Sequence, residues 1–346
     1  MYYNRGRLKK HKKDKTKRMN LMIEELFRNI FRCEVPLPNN PLRALNSYVI
    51  KGEDENLIID TGFNCKESQE AFIKNLIELQ VDIPKSKVVI THLHSDHSGL
   101  AHLVFKRGGQ IYMSRGDGAA TKGLMKEDNW IAMKKQLEAF GQRVEGGFFD
   151  KHPGRLYAPN EDFDYTPIEE GETISIGDYK LEIIAVPGHT PHMINLYEPQ
   201  HKIYFSGDHI LNPITPNIGF WGFQYPVILN QYIHSLKKIS SLDINLTLPS
   251  HRNVIRDHRG RIDELIAHHE IRLQEVENIL REAERSMTVV EVAEGMSWKI
   301  PFDSWASFPP PQKSFALGEA MSHLEFLVYK NRATLKKEKG LLLFSV

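Results

Sequence analysis

The segment Thr91 to His97 reads THLHSDH and gathers His92, His94, Asp96 and His97 within six residues. Side chains two apart on an extended stretch project to the same side, so His92 and His94 can converge on one point. Asp96 and His97 follow at the predicted start of a helix, from which they can turn toward a second point. The spacing suits two metal ions rather than one; a histidine cluster satisfied within the core is the competing reading. Imidazole and carboxylate without thiolate match Zn²⁺ first, with Fe or Mn as further matches. The chain has sixteen histidines and only two cysteines, Cys33 and Cys65, with no CxxC. A cysteine metal site or a disulfide framework is thereby excluded.

These residues need neighbouring strands that end side by side. LMIEELFRNIFRCEV reads as a short helix or a strand entry, and ALNSYVIKG and NLIIDTGF as a β-hairpin ending in a turn at Thr61 and Gly62. A helix over 66 to 80 places Ala71, Phe72, Leu76, Ile77 and Leu79 near one face. The apolar KVVITH then delivers the histidine cluster from a buried strand. Residues 115 to 165 break the alternation with an amphipathic helix near Asn129 to Phe140 and a Gly- and aromatic-rich loop, the organisation of a lid. TISIG, KLEIIAVPG, INLYEP and KIYFSGD resume the strands, and a helix from Val227 to Ile239 leads to a last strand in NLTLPSH.

At Arg256 the pattern turns helical. Residues 261 to 285 form a long amphipathic helix with Ile262, Leu265, Ile266, Leu273, Val276, Ile279 and Leu280 on its apolar side. Thr288 and Glu291 have capping-box spacing for a short helix. After the break SFPPPQK a third helix runs from Ser314 to Tyr329, and two short strands flank Lys339 and Gly340. Three helices followed by a hairpin is the outline of a winged helix.

THLHSDH resembles the signature of the metallo-β-lactamase fold superfamily, and companion motifs follow in that family's order: IDTG at 59 to 62, PGHT at 187 to 190, SGD at 206 to 208 and PSH at 249 to 251. The resemblance covers residues 45 to 255 and implies an αββα sandwich of the α/β class. It implies that His92, His94 and His189 hold a first metal, that Asp96, His97 and His251 hold a second, and that Asp208 bridges them. A bridging carboxylate lets two cations sit ~3.5 to 4 Å apart, and a water between them loses its proton near neutral pH and attacks an ester, thioester or phosphoester. Asp96 can also take and return a proton. Asp60 either caps a turn or, as the resemblance implies, orients a ligand histidine through the ring nitrogen that faces away from the metal.

Further residues bear on substrate. His209, next to Asp208, is a candidate contact. Phe220, Trp221, Phe223 and Tyr225 form an aromatic cluster that either walls an acyl pocket or packs under a lid. Arg252 could meet an anionic substrate group or a surface salt bridge. His192, His268 and His269 are read as structural.

Class B β-lactamases lack a bridging aspartate like Asp208, so antibiotic hydrolysis is disfavoured, and the flavin-dependent diiron branch has glutamate where this chain has His94. What remains is the glyoxalase II-like group and related hydrolases with a C-terminal winged-helix-like appendage. The expectation is a dinuclear hydrolase of a small ester or thioester. An RNA-directed phosphodiesterase is the second reading, and a lactonase or a non-catalytic binding module follow.

The chain has 346 residues, 41% hydrophobic and 26% charged, which fits a large domain plus a smaller one and excludes disorder as the global state. Residues 1 to 18 carry nine Lys/Arg against one Asp, net +8, so in a chain of net +1 the rest carries −7. A block of this kind is a solvated, disordered arm. It favours a polyanionic partner, and the acidic body opposes one. The predicted units are the arm at 1 to 18, the hydrolase at 19 to 255 and the C-terminal part at 256 to 346. That last part is net −1, which argues for a packing or homodimerisation module over a DNA reader. Without an apolar run of ~18 to 20 residues or an apolar leader in the first eighteen, the chain is expected to be cytoplasmic and off the membrane.

Overall fold

The structure is a computed structural model that describes residues 23–300 and 304–346; the basic arm lies outside them. Strands β1 (Ile23–Phe27), β2 (Ile30–Pro36), β3 (Ala44–Lys51), β4 (Asn56–Ile59), β5 (Ser86–Val89), β6 (Gln110–Met113) and β7 (Thr166–Pro167) form one sheet in chain order. It is antiparallel through β4 and parallel from there on. A second sheet holds β8 (Thr173–Ile176), β9 (Tyr179–Ala185), β10 (Ile194–Glu198), β11 (Ile203–Gly207) and β12 (Leu246–Pro249), antiparallel except for the β11–β12 pair. The helices that follow the first strands are α1 (Lys66–Glu78), α2 (Ser95–Ser98), α3 (Ala101–Lys106), α4 (Arg115–Leu124), α5 (Glu127–Ala139) and α6 (Pro153–Leu156). Then come α7 (Ile228–Ser240), α8 (His258–Ala283), α9 (Val289–Gly295) and α10 (Pro310–Tyr329).

The two-residue strand period generates the layers. Tyr48 and Ile50 of β3, and Leu57 and Ile59 of β4, face inward and meet Leu181, Ile183, Leu196, Phe205 and Leu248 of the second sheet. Val49 and Ile58, one step out of phase, pack outward against Phe72 and Leu76 of α1 and Val104 of α3. On the far face of the second sheet, Tyr204 joins Tyr232 and Leu236 of α7 and Leu265 of α8 in one cluster. Helix, sheet, sheet, helix is the result, each amphipathic face buried against the next.

Three local expectations change. The first segment, left between helix and strand, is the hairpin β1–β2, with Asn29 at φ 59 in its turn and a Glu24–Arg32 ion pair across it. In α1, Ile77 is 70% exposed, while Ser68, Ala71, Phe72, Asn75 and Leu76 form the buried face. A 3.6-residue period carries position 77 past that face, and Asn75 is accommodated because its Nδ2–H donates to Glu34 O at 3.1 Å. The lid region is more helical than predicted, since α4 to α6 occupy much of it.

Beyond residue 256, α8 starts at His258 with Asp257 as its cap, accepting from Gly260 N. The Thr288–Glu291 capping box is formed at α9. Helix α10 begins at Pro310, four residues ahead of the predicted start, because proline is compatible with a first helical turn. Strands β13 (Met287–Thr288), β14 (Thr334–Glu338) and β15 (Leu341–Ser345) form a small sheet in the order β13-β15-β14. The turn between the last two has Lys339 at φ 51 and Gly340 at φ 83, the paired left-handed conformation of a two-residue hairpin. Among the described residues no helix is long and apolar enough to cross a membrane.

Candidate metal centre

The candidate residues lie where strands of both sheets end. Asp60 follows β4, the THLHSDH segment follows β5, His189 lies between β9 and β10, Asp208 follows β11, and His251 follows β12. Backbone bonds join the sheets here: Ile194 N–H donates to Thr91 O at 3.0 Å and Asn46 N–H to Ser250 O at 2.7 Å. Gly207 precedes Asp208 at φ 47, and a Cβ there would lie 2.6 Å from Met193 Cε. That explains the glycine of SGD.

Two groups of donor atoms result. His94 Nδ1 stands 3.1 Å from His92 Nε2 and 2.9 Å from His189 Nε2. Asp96 Oδ2 lies 3.2 Å from His251 Nε2 and 3.7 Å from His97 Nε2. The Asp208 carboxylate approaches both groups, with Oδ2 3.6 Å from His189 Nε2 and from His97 Nε2, and Oδ1 3.5 Å from His251 Nε2. In each of the triplets His92–His94–His189, His92–His97–Asp208 and Asp96–His97–His251, the candidate ligand atoms lie within 4.8 Å of one another.

The outward ring nitrogens decide which way the lone pairs point. His97 Nδ1–H donates to Asp60 Oδ2 at 2.8 Å, His189 Nδ1–H to Asn217 O at 2.8 Å, and His251 Nδ1–H to Ala44 O at 2.8 Å. His92 Nδ1–H donates to Thr91 Oγ1 at 3.0 Å, whose own proton goes to Asp60. With Nδ1 committed as donor, each Nε2 presents a lone pair inward. His97 Nε2, His251 Nε2 and Asp208 Oδ1 are buried without a hydrogen-bond partner. Buried polar atoms are almost always paired, so three orphans within one cluster of donor atoms fit bound cations.

Electrostatics separate the groups. Burial and then the neighbouring imidazoles hold His92 well below the ordinary histidine value, and burial with His189 brings His94 down to about 3. Burial also works against a charged His97, but the carboxylates of Asp60, Asp96 and Asp208 outweigh it and hold that ring well above the ordinary value. Burial would raise Asp96, yet His97 and His251 bring it down to about 2. The ligating forms are ionised carboxylates and neutral imidazoles, so a cation at the second group would displace the proton that the surrounding carboxylates favour on His97.

Residues 41–251 match the profile of the Metallo-beta-lactamase superfamily. The chain belongs to that family. Among similar proteins, Lactamase-like protein aptB of Emericella nidulans is 26% identical over 245 residues, 70% of this chain and 62% of the relative. The chain thus matches less than two thirds of that relative's length. Acyl-coenzyme A thioesterase MBLAC2 of Gallus gallus is 27% identical over 175 residues, 47% of this chain and 56% of that protein. A metallo-beta-lactamase family protein from Thermus thermophilus superposes with a TM-score of 0.79 at 22% identity, over 93% of this chain and 99% of that one. At that identity the likeness is one of fold.

Asp60 does more than cap a turn. It sits at φ 60, fully buried, and accepts from Thr91 N–H at 2.8 Å, Thr91 Oγ1–H at 2.9 Å, Ser250 Oγ–H at 3.0 Å and His97 Nδ1–H. It therefore orients His97 directly and His92 through Thr91.

The substrate candidates divide. Trp221 lies at the centre: its Nε1–H donates to His189 O at 3.2 Å and its ring stands 5.9 Å from that of His94. Phe220 is buried, with its ring 5.9 Å from that of Phe140 and 4.9 Å from that of the exposed Phe223. His209 is fully buried, edge-on to Tyr232 at 5.4 Å with its carbonyl held by Tyr232 Oη–H, so the expected substrate contact is replaced by core packing. Arg252 directs Nη2–H to Pro41 O at 2.6 Å, and no salt bridge to a surface acid is formed among the described residues. His192, read as structural, is exposed, with its ring 5.6 Å from that of Tyr225.

Sequence reasoning missed Asp117. This buried carboxylate in the first turn of α4 accepts through Oδ2 from Thr190 Oγ1–H at 2.5 Å and from Leu93 N–H at 3.2 Å. It joins the loop between His92 and His94 to the loop that holds His189. The Ser114-x-x-Asp117 spacing signals a helix start, but nothing in it says where the carboxylate points. Burial lifts Asp117 to about 7, so an uncharged acceptor is nearly as good there. Asp117→Asn, which keeps one oxygen for both donors, is expected to leave metal affinity nearly unchanged. Asp117→Ala should weaken it ~10- to 100-fold, by chelator-competition titration. Equal affinities for the alanine variant and the wild type would remove Asp117 from the centre's support.

Proposed function

We propose that this chain is a hydrolase that uses two divalent cations on a small ester or thioester. The observation that carries the reading is the convergence of two donor groups, in which His92, His189, His97 and His251 are oriented by outward partners, with the Asp208 carboxylate between them. His92, His94 and His189 would hold one cation, Asp96, His97 and His251 the other, and Asp208 both. Nitrogen and oxygen donors without sulfur fit zinc first, then iron or manganese. Two such ions supply a nucleophilic water ionised near neutral pH and polarise the attacked carbonyl.

The chain's residues do the rest. Asp60 keeps His97 and His92 in the ligating tautomer, and Asp96, on a helix end beside His251, can hold a proton during the reaction. Trp221 offers an apolar surface beside His94 for the acyl part of a substrate. The chicken relative's thioesterase name supports a thioester in particular. Helices α8 to α10 with the sheet β13-β15-β14 support a winged-helix-like C-terminal part.

Metal analysis of the purified protein, together with turnover of acyl-CoA, acyl-glutathione, lactone, phosphodiester and RNA substrates, tests the proposal. Thioester or ester turnover that is lost on chelation and restored by metal is expected. The RNA-directed reading leans on the arm, whose charge acts only through screened attraction. Deleting residues 2 to 18 should leave kcat/KM for the small substrate unchanged. Salt-sensitive RNA cleavage by the full chain that weakens on this deletion would reverse the order of the two readings.

A further inference from the structure

The carbonyl that orients His189 belongs to a loop the sandwich does not hold alone. Asn217 O accepts from His189 Nδ1–H, and four residues on, Trp221 Nε1–H returns a bond to His189 O. The loop between them is fastened to α10. Asn217 Nδ2–H donates to Glu319 Oε2 at 3.0 Å and to Phe315 O at 3.3 Å. Ser322 Oγ–H donates to Ile218 O at 2.5 Å, and Phe220 N–H to Gly318 O at 3.0 Å. Positions 315, 318, 319 and 322 share one helical face, so a single stripe of α10 grips the loop. Gly318 permits the approach, since a Cβ there would already lie 3.4 Å from Gly219 Cα.

The stripe is braced from behind. Glu319 Oε1 lies 3.4 Å from Arg272 Nε, both side chains being largely buried. Arg272, on α8, is itself fixed by Glu275, by Ser297 O at 2.8 Å and by the Trp298 ring, whose centroid is 4.7 Å from its guanidinium carbon. A continuous polar chain thus runs from α8 through Glu319 and Asn217 to the ring of His189.

The geometry points to Asn217 and Glu319 as positioning residues for His189, which makes the C-terminal helices a working part of the first donor group. This rests on the metal reading proposed above. Fixing the outer partner of a ligating imidazole fixes its tautomer and aim, and loss of such a partner typically weakens metal binding ~10- to 100-fold.

The test is a zinc titration of the full-length, metal-stripped chain against a chromophoric chelator, resolving two affinities, with cobalt absorption spectra and thermal melts alongside. Asn217→Ala and Glu319→Ala should weaken one site ~10- to 100-fold and alter its cobalt spectrum while the other site keeps its affinity. Glu319→Gln, which retains an oxygen for Asn217, should recover most of the loss. Leu324→Ala, a core truncation elsewhere on α10, should lower Tm without changing either affinity. Two zinc ions in the wild type with unchanged affinities in the Asn217 and Glu319 variants would overturn the positioning role alone. So would both sites weakening together in step with Tm. A wild-type chain that takes up fewer than two ions would overturn the metal reading itself.

Discussion

Asp208→Ala will reduce kcat/KM on the order of 10³-fold or more, about 4 kcal/mol of transition-state stabilisation, and will cut metal content from two ions to one or none. Its carboxylate lies 3.5 to 3.6 Å from nitrogens of both donor groups, so on the proposed reading its loss would remove a ligand from each and the negative charge that offsets two adjacent cations. Folding should suffer far less. Oδ1 is buried and accepts no hydrogen bond from the described residues, so it contributes little to holding the sandwich together. Metal content by elemental analysis, paired with thermal melts in chelator, separates the two effects. Two retained ions and near-wild-type turnover would show that Asp208 is not shared.

The second large effect is expected at Asp60. Asp60→Ala strips the acceptor from Thr91 N–H, Thr91 Oγ1–H, Ser250 Oγ–H and His97 Nδ1–H at once, all at buried residues. Each orphaned donor costs ~1 to 3 kcal/mol, enough in sum to threaten the fold. Asp60→Asn is the more informative variant. Its single oxygen can serve the Thr91 side, but its amide then faces the His97 Nδ1–H, donor against donor. His97 is driven to turn or change tautomer, and affinity at the second donor group should fall ~10- to 100-fold while the fold persists. Chelator competition measures this, and an Asp60→Asn variant that binds both ions as the wild type does would leave Asp60 a turn residue only.

How much of this was legible depended on range. THLHSDH is local, and strand KVVITH with a helix starting behind it could be anticipated, so the two directions of its candidate donors could be read from the sequence. His189, Asp208 and His251 came within reach only through the resemblance, because their meeting depends on two sheets closing face to face. The outward partners were opaque: Ala44 and Asn217 act through main-chain carbonyls, which leave no mark on residue type. Asp117 and Glu319 were opaque for a different reason, since charged residues on helices look solvated until the packing is known. His209 misled through adjacency, and the bond that Arg252 makes was not foreseen. Each follows a proposed ligand in sequence, but a tight turn sends one beneath Tyr232 and the other, at φ 66, toward Pro41.

A crystal structure of the metal-loaded chain, with anomalous scattering recorded on both sides of the metal edge, tests the central claim most directly. The expected map has two peaks per chain, one among His92, His94 and His189 and one among Asp96, His97 and His251, with Asp208 touching both. A single fully occupied peak, with His97 and His251 turned away from it, would contradict the dinuclear account.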